Sequence, residues 1–157
     1  VLLSSDAMRL SMFGDKKTCD AIYVDSEKRF YDDVHGSLFY ATHQILKNGK
    51  SVVLDAQMAL YRDRDQLREI ALSAGVLPVF VWVSTTPTVA QHRITTRAEQ
   101  GGDRRFSPAA AEAVFSSTIQ RLQPPFPGEE VLSLSGQDPV LTQLKQFHRY
   151  VQRELVA

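Results

Sequence analysis

Three charged side chains follow strand-like apolar runs and suit the transfer of an anionic group to a hydroxyl. Asp6 and Arg9 stand three residues apart in "VLLSSDAMRL", directly after the first apolar run, and Asp55 ends a second run in "SVVLDA". A carboxylate can take a proton from a hydroxyl or help to hold Mg²⁺, and a guanidinium binds anionic groups. We therefore expect Asp6 to orient or deprotonate an acceptor, Arg9 to bind it, and Asp55 to organise magnesium.

Each of these residues also has a purely structural interpretation. Asp6, together with Ser4 or Ser5, could simply cap a helix N-terminus, and Asp55 could form a turn at the end of a strand. The sequence alone leaves both interpretations open.

A basic pair forms the second candidate site. In "HRITTR", Arg93 and Arg97 lie four residues apart and hence on one helix face, just before the polar insert "EQGGDRRFSP". If the insert closes like a lid, these arginines reach a transferring phosphate; otherwise they form a solvated basic face.

Other polar clusters are weaker candidates for a functional site. "RDRDQLR" is interpreted as a solvated helix start rich in salt bridges rather than as a site. The histidines lack the spacing of zinc ligands, among themselves and with Cys19, so the sequence predicts no zinc site. They are His35, His43, His92 and His148.

Composition sets broad limits on function. Hydrophobic residues make up 43% and charged residues 23% of the 157, and the formal net charge is zero, so no global field favours a nucleic acid or a membrane. No apolar run approaches the roughly 20 residues of a membrane span, and the start does not resemble a signal peptide. Cys19 is the single cysteine and cannot form an internal disulfide, so we expect a reducing, cytoplasmic location.

Four strands must position these side chains. We predict them at residues 1–5, 51–56, 79–84 and 131–135. The middle two are nearly continuous apolar runs, which favours strands buried on both faces, as in a parallel sheet.

Helices alternate with the strands. A long helix is predicted from apolar residues spaced by three and four and ends near Gly49; a second covers residues 64–74 and stops at Gly75. The apolar positions of the long helix are Phe30, Val34, Leu38, Ala41 and Ile45. Further helices start at Thr86-Pro87, Ser107-Pro108 and Asp138-Pro139, where a capping residue precedes proline.

The alternation predicts an α/β fold with a parallel sheet and right-handed crossovers. Ligands bind beyond the carboxyl ends of such strands. We therefore expect Asp6, Arg9 and Asp55 to face one crevice with Ser84 and Thr85, which end the third strand.

The ordered motifs resemble a known family. "SSDAMR…FGD", "ILKNGKSVVLDA", "RDRDQLREIALSAG" and "TPTVAQHRITTR", followed by a "PP" segment, resemble P-loop kinases of the predicted-kinase type. These are related to the polynucleotide 5′-hydroxyl kinase domain and more distantly to zeta toxins and adenylate-kinase-like folds. The resemblance covers almost the whole chain. It implies one domain over residues 1–157, a three-layer parallel sheet and a small helical lid at residues 93–108.

The resemblance also implies roles for individual residues. Asp6 matches the aspartate that activates the acceptor hydroxyl, and Arg9 the arginine that binds the acceptor's phosphate. Asp55 matches the aspartate of a "DATN"-like segment, with Mg²⁺ held through water. Arg93 and Arg97 match two lid arginines that act on ATP and on the transferring group.

Two departures from the family stand out. Where the family has D-A-T-N, this chain has Asp55-Ala56-Gln57-Met58, so Gln57 could replace only part of the usual polar set. The family's first strand, its G-x-x-x-x-G-K-[ST] loop and the following helix do not occur in the chain. We expect Val1 to continue from a segment that carries them, with the added strand between those that end at Asp55 and Ser84.

The resemblance implies an ATP-dependent kinase that uses Mg²⁺ and moves the γ-phosphoryl group to a hydroxyl. The acceptor is a small molecule, a nucleoside or an oligonucleotide end. Two rivals remain: a non-catalytic nucleotide-binding or regulatory module that keeps the fold without the phosphate loop, and a hydrolytic ATPase. Asp6 with Arg9 suits an acceptor better than a water molecule.

Overall fold

The computed structural model describes residues 1–99 and 107–155. The chain begins with a strand, and one to three helices follow each strand. The strands are β1 (Leu2–Ser4), β2 (Val53–Asp55), β3 (Val81–Ser84) and β4 (Leu132–Ser135). The helices are α1 (Ser5–Phe13), α2 (Lys16–Asp25), α3 (Glu27–Lys47), α4 (Tyr61–Ser73), α5 (Pro87–Glu99), α6 (Pro108–Arg121) and α7 (Val140–Leu155).

The strands pair two by two, and both pairs are parallel. In the first pair Leu2 aligns with Val53 and Ser4 with Asp55; in the second, β3 pairs with β4. The four predicted strands and their parallel direction are confirmed. The described strands form two sheets of two, because the ladder of β2 goes only to β1 and that of β3 only to β4; β2 and β3 were not expected to pair with each other.

The prediction that the two middle strands are buried on both faces is wrong for the described residues. The Val53 side chain is 65% exposed, and Val81 and Val83 are exposed too. Leu54, between the exposed positions, packs against the helices. The described helices therefore cover one face of β2 well, and the other face stays open.

Helix α3 supplies much of the core beside β1 and β2. Phe30, Val34 and Leu38 are buried in one cluster with Cys19 and Tyr23 of α2. Phe13 stacks on Phe30 at 5.2 Å between ring centroids. The predicted apolar face of this helix is confirmed. Leu3, Met8, Leu10, Phe13, Ile22, Leu54, Ala56 and Val114 pack around the cluster.

Helix ends follow the predicted signals closely. The glycine after α3, Gly49, has φ of 68°, and the glycine after α4, Gly75, has φ of 70°, a conformation that favours glycine. Helix α5 begins at Pro87, and the Ser107 hydroxyl caps α6 by accepting from the Ala110 amide at 3.3 Å. Of the predicted lid at residues 93–108, the part from 100 to 106 lies outside the described residues.

The chain divides into two compact units. The first contains residues 1–78 and 91–123, and the second contains residues 79–90 and 124–157. The boundary falls within α5, after Ala90. Among the described helices, none combines the length and the apolar character needed to cross a membrane.

Candidate active site

The edge formed by the carboxyl ends of β1 and β2 gathers three of the predicted site residues. Ser4 aligns with Asp55 across the pair, so Asp55 ends β2 where β1 also ends. Helix α1 begins at the next residue, Ser5, and carries Asp6 in its first turn and Arg9 one turn further on. The register therefore brings the start of α1 next to the end of β2, and a shared crevice for the three side chains stays a prediction.

Asp6 and Arg9 form an ion pair within α1. Arg9 Nη2 lies 3.3 Å from Asp6 Oδ1; the Arg9 side chain is 5% exposed and the Asp6 side chain 49%. A buried guanidinium needs an anionic partner to offset its lost hydration, and Asp6 supplies one. Ser4 occupies the N-cap position, but its side chain makes no capping hydrogen bond.

Asp55 is exposed at the end of β2. Mg²⁺ is typically held by one or two carboxylates together with waters and substrate phosphates. A single exposed carboxylate at a sheet edge fits that donor set as the contribution of the protein. The described residues contain no cluster of three or more His, Cys, Asp or Glu side chains that could hold a metal alone.

Arg93 and Arg97 lie together on α5, as their spacing predicts. With His92 and Thr96 they line a shallow groove of about 380 Å³. Arg97 Nε donates to the Arg93 carbonyl at 3.2 Å, so the Arg97 side chain runs back along its own helix. Their placement beside a transferring phosphate stays a prediction.

Ser84 and Thr85 end β3 in the second unit. Ser84 Oγ donates to the Leu134 carbonyl of β4 at 3.3 Å. Gly136 follows β4 at close range: a methyl group there would overlap the Thr85 hydroxyl and approach the Ser84 carbonyl oxygen to 3.2 Å. That these residues share a crevice with Asp6 and Asp55 also stays a prediction.

A buried polar cluster on α3 and α4 is absent from the sequence predictions. Asp63 is 5% exposed and accepts a hydrogen bond from the Tyr31 hydroxyl at 3.0 Å. Arg62 Nε donates to the other Asp63 oxygen at 3.3 Å, and His35 Nδ1 lies 3.8 Å from the carboxylate, beyond hydrogen-bond range. Burial alone would raise the pKa of Asp63, but His35, the Tyr31 hydroxyl and Arg62 together lower it.

The cluster adjoins the chain directly after β2. We call residues 55–59, which run from the last residue of β2, the post-β2 segment; its first four residues are those compared above with the "DATN" stretch. The Gln57 carbonyl accepts from the Tyr31 hydroxyl at 3.3 Å, and the Met58 carbonyl accepts from Arg64 Nη1 at 3.0 Å. The Ala59 carbonyl accepts from the Gln123 amide at 2.8 Å. Three consecutive carbonyls are therefore each bonded to a different part of the fold.

The side chain of Gln57 is also engaged. Its Oε1 atom accepts from the Thr118 hydroxyl of α6 at 3.3 Å. In this structure the amide oxygen thus contacts α6, and a role for Gln57 in place of the family's threonine or asparagine stays a prediction.

The interpretation of "RDRDQLR" as a solvated helix start is wrong for two of its residues. Asp63 and Arg64 are buried, because they lie on the same side of α4 as the buried Leu67 and Ala71. A signal was present in the sequence. Asp63, Arg64, Leu67 and Ala71 follow the three- and four-residue spacing of one helix face, so the charged pair continues an apolar stripe.

A comparison with protein families decides the relationship. A family model described as an AAA domain matches residues 1–125. The chain belongs to the AAA domain family. A search of curated proteins found no match.

Two solved structures share the fold of this AAA domain. One is a gluconokinase from Sinorhizobium meliloti 1021, with 18% identity and a TM-score of 0.64 over 97% of this chain and 77% of that one. The other is described as a "putative kinase" from Chloroflexus aurantiacus J-10-fl, with 24% identity and a TM-score of 0.62 over 98% of this chain and 83% of that one. At these identities the likeness shows the fold, an α/β fold of the P-loop kinase type.

Proposed function

We propose that this AAA domain belongs to an ATP-dependent phosphotransferase that moves the γ-phosphoryl group to a hydroxyl acceptor. The observation that carries the proposal is the shared edge of β1 and β2, where the Asp6–Arg9 pair and Asp55 lie at the ends of parallel strands. Similar folds in two kinases support this class of reaction. The relation to polynucleotide 5′-hydroxyl kinases is part of the proposal.

In this mechanism each residue has one task. The half-exposed Asp6 carboxylate accepts the proton of the acceptor hydroxyl, whose oxygen attacks the γ-phosphorus of ATP while ADP leaves. Arg9 keeps Asp6 in place and binds an anionic group of the acceptor where there is one. Arg93 and Arg97 stabilise charge on the transferring group.

Magnesium and the nucleotide phosphates need further partners. Mg²⁺ neutralises phosphate charge when bound, and Asp55 would hold it through water. The proposed reaction also needs backbone N–H donors for the nucleotide phosphates, and residues 1–157 contain no G-x-x-x-x-G-K-[ST] motif that would supply them. We also propose a single kinase-like domain with a lid at residues 93–108 and a cytoplasmic location, which the single, buried thiol Cys19 supports.

The test is ADP release by the full-length protein with ATP·Mg²⁺ and a panel of hydroxyl acceptors. Gluconate, nucleosides and oligonucleotide 5′ ends belong in the panel. Asp6→Asn should lower turnover by about 10²–10⁴-fold, the usual scale for a general base, and should change ATP affinity little. Near-normal turnover in this variant would reduce Asp6 to a structural partner of Arg9.

A second candidate is a non-catalytic nucleotide-binding or regulatory module with the same fold. The observation in its favour is that Arg9 is buried against Asp6 rather than open to a ligand. Acceptor-independent ATP binding without ADP release, in a full-length protein that lacks the G-x-x-x-x-G-K-[ST] loop, would favour this candidate.

A further inference from the structure

The Tyr31 hydroxyl lies between a buried carboxylate and a backbone carbonyl. It is 3.0 Å from Asp63 Oδ2 and 3.3 Å from the Gln57 carbonyl oxygen, so its single proton is shared between the two acceptors and the carboxylate is the nearer. Burial, followed by the negative charge of Asp63 and its hydrogen bond, raises the pKa of Tyr31 far above its usual value. The hydroxyl therefore keeps its proton and remains a donor throughout the physiological pH range.

The ring of Tyr31 is held as firmly as its hydroxyl. It contacts the His35 ring in a tilted arrangement, with 3.8 Å between centroids and 55° between the ring planes, and the Arg121 guanidinium of α6 lies 5.1 Å from its centre. Arg121 in turn pairs with Glu27 of α3 at 2.6 Å. Contacts with α3 and α6 therefore limit the movement of the phenol and of its hydroxyl.

Thr118 holds the post-β2 segment from the opposite side. Its buried hydroxyl donates to Gln57 Oε1, and the Gln123 amide, just after α6, donates to the Ala59 carbonyl. Tyr31 on α3 and Thr118 on α6 therefore both bond to Gln57. Tyr31 contacts its backbone carbonyl, and Thr118 contacts its side-chain oxygen.

Burying this many polar groups around one short segment is costly unless each finds a partner. The segment begins at Asp55, whose side chain is exposed at the sheet edge and bears on the proposed chemistry. We propose that Tyr31, Asp63 and Thr118 are positioning residues, which fix the post-β2 segment and thereby the direction of the Asp55 carboxylate. The effect on catalysis rests on the proposed function, whereas the hydrogen bonds to the post-β2 segment do not.

The first measurement needs no substrate and no metal. Amide hydrogen exchange over residues 55–60 is compared between the unaltered protein and the variants Tyr31→Phe and Thr118→Val, which remove one hydroxyl each. Loss of about 1 kcal/mol of hydrogen bonding should raise exchange in this segment by about fivefold. Thr118→Ser keeps the hydroxyl and should restore slow exchange. Tyr40→Phe is the matched control, since Tyr40 lies on α3 but is 68% exposed.

The second measurement is turnover of the full-length protein. Tyr31→Phe and Thr118→Val should lower kcat by about 10- to 100-fold, the scale of a misplaced catalytic group, with little change in the KM for ATP. Thr118→Ser and Tyr40→Phe should behave like the unaltered protein.

The outcomes separate this inference from the proposed function. Unchanged exchange in both hydroxyl-free variants would overturn the inference, and so would faster exchange with unchanged kcat. Faster exchange with a lowered kcat supports it. If exchange is faster but the protein transfers phosphate to no acceptor, the role of these residues in holding the segment is supported. The proposed kinase activity is then rejected.

Discussion

Arg9 is 4% exposed and pairs with a carboxylate one turn earlier on its own helix. An anionic acceptor that binds Arg9 therefore has to share the guanidinium with Asp6 rather than find it solvated and open. Such sharing suits a guanidinium, which presents five N–H donors in a fixed plane and can serve two anions at once. In the proposed kinase, the pair would favour an acceptor whose hydroxyl and anionic group lie close together.

The proposed role of Arg93 and Arg97 can be tested by substitution, with an exposed arginine on another helix as the control. Arg93→Ala or Arg97→Ala should lower turnover of the full-length protein more than it weakens ADP binding, because these side chains would act on charge that develops during transfer. Arg149→Ala, on an exposed position of α7, is the control and should change neither quantity. Steady-state kinetics and ADP titration measure the two effects. Equal losses in both would point to ground-state nucleotide binding.

Asp63 and Tyr31 give stability a defined dependence on pH. The pKa of Asp63 is lowered in the fold, so its contribution is fully present above about pH 4 and is lost as the pH falls through the folded pKa. The pKa of Tyr31 is raised, so its contribution is present below about pH 10 and is lost as the pH rises further. Urea unfolding across pH should show both slopes. Asp63→Asn should flatten the acid limb and Tyr31→Phe the alkaline limb; limbs that stay as steep would contradict the assignment.

Among the elements, two glycines predict opposite effects of one substitution. Gly36 lies within α3, and a methyl group there would meet nothing within 4 Å, so Gly36→Ala should stabilise by about 0.5–1 kcal/mol. Gly136 follows β4 against Ser84 and Thr85, so Gly136→Ala should destabilise by about 1–3 kcal/mol. Denaturant unfolding of the full-length protein measures both. The same sign for the two variants would show that the close approach at Gly136 relaxes freely.

The positions of the helices and strands were easier to predict from the sequence than the pairing of the strands. The spacing of Phe30, Val34 and Leu38 was enough to place α3, and proline after a capping residue located the start of α5 and of α6. These signals are local and depend on helix geometry alone. Strand pairing is not local: apolar runs predict that β2 and β3 are strands, but not that each pairs with one partner only.

The site was predictable only where its chemistry follows a strand end. Asp6, Arg9 and Asp55 could be singled out because they come directly after apolar runs. Tyr31 and Asp63 are 32 residues apart and meet only through the packing of α3 on α4. No short-range pattern encodes that meeting, although the stripe through Asp63 and Leu67 hinted at burial.

At the scale of the whole molecule, each unit leaves apolar side chains in contact with solvent. In the first unit Val53 is exposed on β2, and in the second Val81 and Val83 are exposed on β3. One face of α7 is exposed as well, with Val140, Leu141, Leu144 and Phe147. Short parallel strands with exposed apolar side chains favour association with other chains.

We therefore predict that residues 1–157 expressed alone aggregate and bind ATP·Mg²⁺ poorly. The exposed strands lack cover, and the sequence contains no loop that surrounds phosphate with backbone N–H groups. Light scattering and ATP titration check the two points. Joining a strand, a G-x-x-x-x-G-K-[ST] loop and a helix ahead of Val1 should restore both properties. A monomeric chain that unfolds cooperatively and binds ATP at micromolar concentration would contradict this prediction.

The hydrogen bonds that hold the post-β2 segment also bear on the order in which parts of the protein fold. Thr118 lies 61 residues beyond its partner Gln57. Gln123 lies 62 residues beyond Tyr61, and its side-chain oxygen accepts a hydrogen bond from the Tyr61 backbone amide. Contacts this distant form only after the loop between them has closed, which costs chain entropy early in folding. During synthesis we expect α3 and α4 to pair before α6, which follows them in the chain. The post-β2 segment is then fully bonded only once α6 is in place, so a nascent chain stalled before Thr118 would lack the contacts of α6 with Gln57.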